Sequence, residues 1–184
     1  MPKAQISSST TGAGAVAISE KQRQGRAVNA VAELFVKKLL VPKIYLAADW
    51  RGEKADVLAI DRAGSGDIHG IHVPIPPQSL VVPKTRSLYE TLLEKRDLPH
   101  IMSSNFHFKY LAVVPAFVDF VSRQNLFAED GIGRVGIIEI IEHPSGSPEA
   151  RIAVPAERFR VAPATIKKFD EFQKKTHADR ETRG

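Results

Sequence analysis

Five side chains that can bind a metal ion or move a proton fall within one twenty-residue segment, ADVLAIDRAGSGDIHGIHVP (55–74): Asp56, Asp61, Asp67, His69 and His72. Carboxylates brought together on neighbouring strands hold Mg²⁺ through oxygen, whereas imidazoles suit softer ions such as Mn²⁺. Apolar residues on either side of Ala63-Gly64-Ser65-Gly66 predict two strands joined by a turn. In a strand, residues three apart point to opposite faces, so His69 and His72 cannot easily chelate one zinc ion together. The length of the turn decides which of them joins Asp56. If Arg62 pairs with Asp67 across four residues, Asp56 lies opposite Val73 and shares a face with His69; an odd turn or a bulge brings His72 to that face instead. The even turn, and His69 with it, is the expectation. Asp61 and Asp67 flank the turn, where Asp commonly bonds nearby backbone, and a structural role is expected for both. Asp56 sits inside an otherwise apolar strand and needs a partner. Either it serves a site or it forms a salt bridge to Lys43, Arg51 or Lys54.

These residues need a framework. Residues 1–19, rich in Ser, Thr, Ala and Gly, bury too little to offset ordering entropy and are expected to be a flexible tail. Ser19 is placed to cap a helix from Glu20, along which Val28, Val31, Ala32, Phe35 and Leu39 recur at helical spacing until Pro42. Strands are predicted at 43–49, on both sides of the glycine turn, at 107–115, 134–143 and 150–155. Ser87 with Glu90 three residues on predicts a capping box for a short helix over 87–97. Further helices are predicted over 116–127 and from 164, the last ending in a charged tail. The order α-β-β-β-α-β-α-β-β-α implies an α/β fold, a mixed central sheet with helices on its faces, in one domain over 20–163.

Composition narrows the classes. The 184 residues are 43% hydrophobic and 26% charged, as in globular proteins. No apolar run approaches the ~20 residues needed to span a bilayer, so no membrane partner is expected. The first residues lack the apolar stretch of a secretory signal, and a cytoplasmic location is expected. No cysteine is present, which removes disulfides, thiol nucleophiles and Cys-based zinc sites. A P-loop and a dinucleotide-binding fingerprint are also missing. The formal charge of +5 is compatible with a polyanionic partner. Basic residues gather at Lys37, Lys38 and Lys43, at Arg51 and Lys54, at Lys84 and Arg86, and around Arg151, Arg158 and Arg160. Phe106, Phe108 and Tyr110 alternate with His107 and Lys109, a pattern of either a base-stacking face or, more commonly, an aromatic core stripe.

One helix, a three-strand meander, then helix and strand resembles the restriction-endonuclease-like PD-(D/E)XK superfamily over roughly residues 20–142. ADVLAID is similar to that family's second strand, and KYLAVVPA with GIGRVGIIEI to its later part. The resemblance implies Asp56 as the first catalytic carboxylate and metal ligand, with Glu33 or Glu20 assisting from the first helix. In that family two carboxylates hold Mg²⁺ and a lysine of a Glu-x-Lys motif orients the attacking water. Here the third strand reads Asp67-Ile68-His69-Gly70-Ile71-His72-Val73-Pro74, so Glu-x-Lys becomes His69-x-Ile71 or His72-x-Pro74. Carboxylate and lysine are both lost, and the site reads as degenerate.

The expected function is therefore nucleic-acid binding or regulation, to DNA or RNA, with Lys37, Lys38, Lys43, Arg51, Lys54, Lys84 and Arg86 on the phosphates and no cofactor. Two alternatives stand beside it. One is a metal-dependent nuclease in which Asp56, a histidine (His69 or His72) and Glu33 hold Mg²⁺ or Mn²⁺. The other is a protein-interaction module, such as a homodimer, that uses a sheet edge.

Overall fold

The computed structural model describes residues 19–50, 53–61, 67–75, 82–129, 131–144 and 146–161. Its first helix, α1 (Glu20–Glu33), opens with a reciprocal cap. The Gln22 N–H donates to Ser19 Oγ at 3.3 Å and the Ser19 N–H to Gln22 Oε1 at 2.9 Å, a box worth about 1 kcal/mol. α1 passes into a wider π-turn, Leu34–Lys38, where the Leu39 N–H reaches back to the Leu34 carbonyl. The chain then leaves the helix at Leu40, in the left-handed region at φ 54°, just before Pro42.

Six strands follow in one sheet whose spatial order is the chain order: β1 (Lys43–Trp50), β2 (Glu53–Ile60), β3 (Ile68–His72), β4 (Phe108–Val113), β5 (Gly136–Ile141) and β6 (Glu149–Val154). The first three form an antiparallel meander; β3–β4 and β4–β5 are parallel, and β6 returns antiparallel. The parallel pairs need crossovers. The β3–β4 connection includes α2 (Pro83–Leu92), a π-turn (Leu93–Asp97) and α3 (Leu98–Ser103). The β4–β5 connection includes a 3₁₀ turn (Pro115–Phe117) and the short α4 (Val118–Ser122). This is the mixed α/β sheet that the sequence implies.

Strand alternation sorts the side chains into two cores. Val57, Ala59, Ile71, Val73, Tyr110 and Ile138 pack under α1, whose Ala27 and Ala30 let helix and sheet approach closely. Leu58, Ile60, Leu111 and Ile137 pack on the other face, against Tyr89, Leu93, Leu98 and Ile101 of the α2–α3 layer.

Three expectations are corrected. The helix expected over 87–97 starts at Pro83, where a proline at the first position sacrifices no hydrogen bond, and Ser87 lies within it. It also continues to Ser103, because the π-turn accommodates Pro99: the Leu98 N–H pairs with Leu93 O, five residues back. The helix expected over 116–127 is only five α-helical residues after its 3₁₀ turn. The glycine turn is odd. The register Ala59↔His69, Leu58↔Gly70, Val57↔Ile71 places Asp61 opposite Asp67, and the Asp61 N–H donates to the Asp67 carbonyl at 2.9 Å. Five residues, 62–66, thus separate the paired ends, and Asp56 comes opposite His72 rather than Val73. The expected tail and last helix lie outside the described residues.

Gly70 is a point of close approach. A Cβ there would enter the ring of Phe106, which is buried and crosses β3 at that point. Gly70→Ala is expected to destabilise the protein by about 1–3 kcal/mol, the usual cost of overpacking a filled core, visible as a lower midpoint in urea denaturation. An unchanged midpoint would mean that Phe106 moves aside freely.

Candidate functional site

His72 ends β3 on the α2–α3 face, and Asp56 stands opposite it near the start of β2 on the same face as Leu58 and Ile60. The His72 ring lies between two carboxylates. Its Nδ1 is 2.9 Å from Asp56 Oδ2, and its Nε2 is 3.1 Å from Asp97 Oδ1. Asp97 comes from the π-turn of the helical layer, and its carboxylate is almost fully buried, at 1% exposure. Each carboxylate has a second donor. The Val73 N–H donates to Asp56 Oδ2 at 2.7 Å. Arg96 donates to both oxygens of Asp97, from Nε at 2.8 Å and from a terminal nitrogen at 3.2 Å.

The electrostatics follow from this geometry. Burial drives the His72 pKa down, but the hydrogen bonds and negative charges of Asp56 and Asp97 outweigh it and raise the pKa from 6.5 to about 9. Burial likewise pushes Asp97 up, and the bonds from His72 and Arg96 overcome this and hold it below the usual carboxylate value. With both carboxylates ionised, two negative charges face two positive ones. The Tyr89 hydroxyl is buried close by without a hydrogen-bond partner, and burial together with the Asp97 charge raises its pKa far above the phenol value. The His100 ring meets His72 edge-on at 5.2 Å and its Nε2 lies 3.3 Å from the Lys54 carbonyl.

An imidazolium with both N–H groups donated has no lone pair to act as a base. The two carboxylates stand at opposite edges of the ring, too far apart to share one small ion at normal ligand distances. Among the described residues no group of three or more His, Asp or Glu side chains is arranged to hold a metal.

The other candidates disperse. His69 points to the opposite face, stacked on Phe108 at a ring distance of 4.7 Å and edge-on to Phe35. Burial lowers its pKa, and its Nδ1 is enclosed without a hydrogen bond. The expectation that His69 partners Asp56 is thus corrected to His72, because the loop is odd. Glu33 lies on α1, across the sheet from Asp56, and pairs with Lys37 on the surface at 2.9 Å. Lys38 bridges to Glu149 at 2.7 Å, so Lys37 and Lys38 do not flank Asp56. Lys54 precedes Asp56 by two residues and is exposed; Lys84 and Arg86 are exposed on α2, Arg86 pairing with Glu90 at 3.2 Å. Lys43 begins β1 opposite Ile60, at the far end of β2 from Asp56. Arg51 lies outside the described residues. Asp67 is structural as expected, accepting from Arg158 at 3.1 Å. Phe106 is buried in the core under α2–α3 and Tyr110, with Phe108 beside it, in the core under α1, so the three form neither one stripe nor a stacking face.

Sequence reasoning missed Asp97, Arg96, Tyr89 and His100. The available signal for Asp97 was its helical spacing, four residues after Leu93 and eight after Tyr89, which puts it on the face that is buried.

No protein-family model matches the chain, and no curated protein does. Among solved structures it is similar to the SPO1766 protein of unknown function from Silicibacter pomeroyi, at 18% identity over 90% of each chain with a TM-score of 0.48. No helix among the described residues is long and apolar enough to cross a membrane.

The His72 linkage gives a signed pH dependence. A folded pKa above 6.5 means that the stabilisation is complete below about pH 6.5 and is lost as pH rises through about 9. Asp97 works in the other direction: its contribution stands above its ordinary 3.8 and is lost as pH falls through its lower folded value. The melting temperature is therefore expected to fall between pH 6.5 and 9, by the equivalent of roughly 2–4 kcal/mol. His72→Gln should be less stable at pH 6.5 and flat over that window. A wild-type curve as flat as the variant's would contradict the linkage.

Proposed function

We propose that this protein is a non-catalytic, nuclease-like domain that binds nucleic acid through the phosphate backbone. The observation that carries this reading is the His72 ring lodged between the Asp56 and Asp97 carboxylates. Two features support the restriction-endonuclease-like part, and two departures from that family's pattern support the non-catalytic part. The order of one helix, three antiparallel strands, helices and a parallel fourth strand matches that superfamily's core arrangement. Asp56 occupies its first carboxylate position on the second strand. His72 stands across from it, where the family's third strand carries the second carboxylate. Pro74 stands two residues on, where the family carries lysine.

A fixed positive charge on His72 then does electrostatically what a bound Mg²⁺ does for two carboxylates, but without an open coordination position or a water to activate. The strand pairing is kept and the chemistry is lost. Backbone binding is supported by the formal charge of +5 and by the exposed cations on the site's side of the sheet, Lys54, Lys84, Arg86 and Arg96. Such contacts give affinity without reading sequence. The Cys-free composition fits a cytoplasmic setting.

Incubation of supercoiled and single-stranded DNA with Mg²⁺ or Mn²⁺ is expected to give no cleavage above a chelator control. Binding to a fluorescent duplex and to a single strand should weaken steeply with salt, and Lys54→Glu with Lys84→Glu should weaken it at every sequence and flatten the salt slope. Asp56→Asn should leave affinity unchanged or raise it. Metal-dependent nicking that disappears in Asp56→Asn would overturn the non-catalytic reading; salt-insensitive binding, or none, would overturn the nucleic-acid reading.

A further inference from the structure

The end of β3 remote from His72 is held by another histidine. The β3–β4 register begins at His69↔Phe108, one residue past Ile68. The Ile68 N–H donates to a side chain, the Nδ1 of His107, at 3.0 Å. The imidazole ring thus extends the ladder by one bond. His107 is buried, at 1% exposure, and its carbonyl accepts from the Phe159 N–H at 2.8 Å. One residue therefore ties the start of β3 to the segment Glu157–Arg160, which the Arg134↔Glu157 bridge holds at its other end.

A ring nitrogen that accepts a hydrogen bond carries no proton, so His107 is neutral here with its hydrogen on Nε2. That nitrogen is buried and has no hydrogen-bond partner. The charged groups facing the ring are Asp67, just before β3, and Arg158. Asp67 Oδ1 lies 3.8 Å from His107 Nδ1 and accepts from Nε and a terminal nitrogen of Arg158, both at 3.1 Å. His69 is a second titratable group within electrostatic reach, and Lys109 follows two residues along the chain with its Nζ on the Met102 carbonyl. Burial first, and then the Arg158 charge, hold the His107 pKa below 6.5 against the pull of Asp67.

A proton added at Nδ1 changes two contacts at once. The ring nitrogen becomes a donor facing the Ile68 N–H, and that buried amide loses its acceptor. The new imidazolium also stands beside the Arg158 guanidinium and competes with it for Asp67 Oδ1. Both changes loosen the same corner of the sheet.

We infer that His107 is an acid-release latch: its neutral ring fastens Ile68 and leaves Asp67 Oδ1 to Arg158, and its protonation lets the Glu157–Arg160 segment open from the sheet. Phe159 and Arg160 line a cleft of about 540 Å³ together with Pro99, Ser103 and Glu129, so this opening displaces one of its walls. The latch is fully closed above about pH 6.5 and weakens as pH falls from there towards the lower folded pKa. It uses neither Asp56 nor His72 and is independent of the nucleic-acid reading.

The test is amide hydrogen exchange of the full-length protein, followed by NMR from about pH 7.5 to 4.5 and expressed as protection relative to the intrinsic rate. Protection of Ile68 and Phe159 is expected to fall about tenfold or more across that range, while Ile138 in the centre of the sheet changes less than about threefold. His107→Asn sets an uncharged acceptor near the place of Nδ1 and should remove the step while Ile68 stays protected. Arg158→Gln, at an exposed position, takes away the neighbouring cation and should move the midpoint of the step to higher pH, which keeps the test decisive if His107→Asn is unstable. Four results would overturn the latch: Ile68 protection independent of pH, an equal fall at Ile68, Phe159 and Ile138, a step retained in a folded His107→Asn, or a midpoint unmoved by Arg158→Gln.

Discussion

One charged hydrogen-bond network, anchored on the buried carboxylate of Asp97, ties the layers of this protein together. The His72 ring joins Asp56 of the neighbouring strand to Asp97 of the helical layer, and Arg96 closes the chain from outside. Three elements distant in sequence are thereby fixed by charged hydrogen bonds in a region otherwise filled by Tyr89, Leu93 and Ile101. Removing His72 would leave the buried Asp97 carboxylate to Arg96 alone, which costs more than the net worth of the pair. The network thus adds a polar tie between the sheet and the α2–α3 layer and sets the electrostatic character of the site.

The same network bears on the chemistry. A carboxylate pair becomes a metal site only when its oxygens converge on an empty position. Here the oxygens point at opposite edges of one ring, and the position between them is occupied by covalent structure carrying its own charge. While both ring nitrogens donate to carboxylates, the ring has no lone pair with which to act as a base. What remains on that face is a balanced polar core with cations exposed around it.

The fold was legible because each element carries its own local signal. Ser19 marks the start of α1, Pro42 its end, and the apolar residues of 55–60 and 68–73 the central hairpin. The site was legible only in part. Asp56 stood out as a carboxylate in an apolar strand, and the choice between His69 and His72 was reduced to one bit of parity. That bit depends on whether the loop holds four residues or five, and Gly-Ser-Gly accommodates both. Asp97 was invisible for a different reason. Its spacing, four residues after Leu93 and eight after Tyr89, puts it on the inward face, but an acidic residue at the expected end of a helix is ordinarily solvated and nothing in the sequence names His72 as its partner. The cations show a similar limit: Lys37 and Lys38 cluster with Lys43 in sequence, but the sheet lies between the end of α1 and the face that carries Asp56.

The central claim concerns one proton, and it can be observed directly. A long-range ¹H–¹⁵N spectrum of the histidine rings, assigned with His72→Gln and followed from pH 5 to 10, reports the protonation of each nitrogen. The account predicts that both His72 nitrogens carry protons at neutral pH, titrate near pH 9 and do not respond to Mg²⁺. A His72 that is neutral at pH 7, or whose signals shift as Mg²⁺ is added, would contradict it and return Asp56 to the role of a metal ligand.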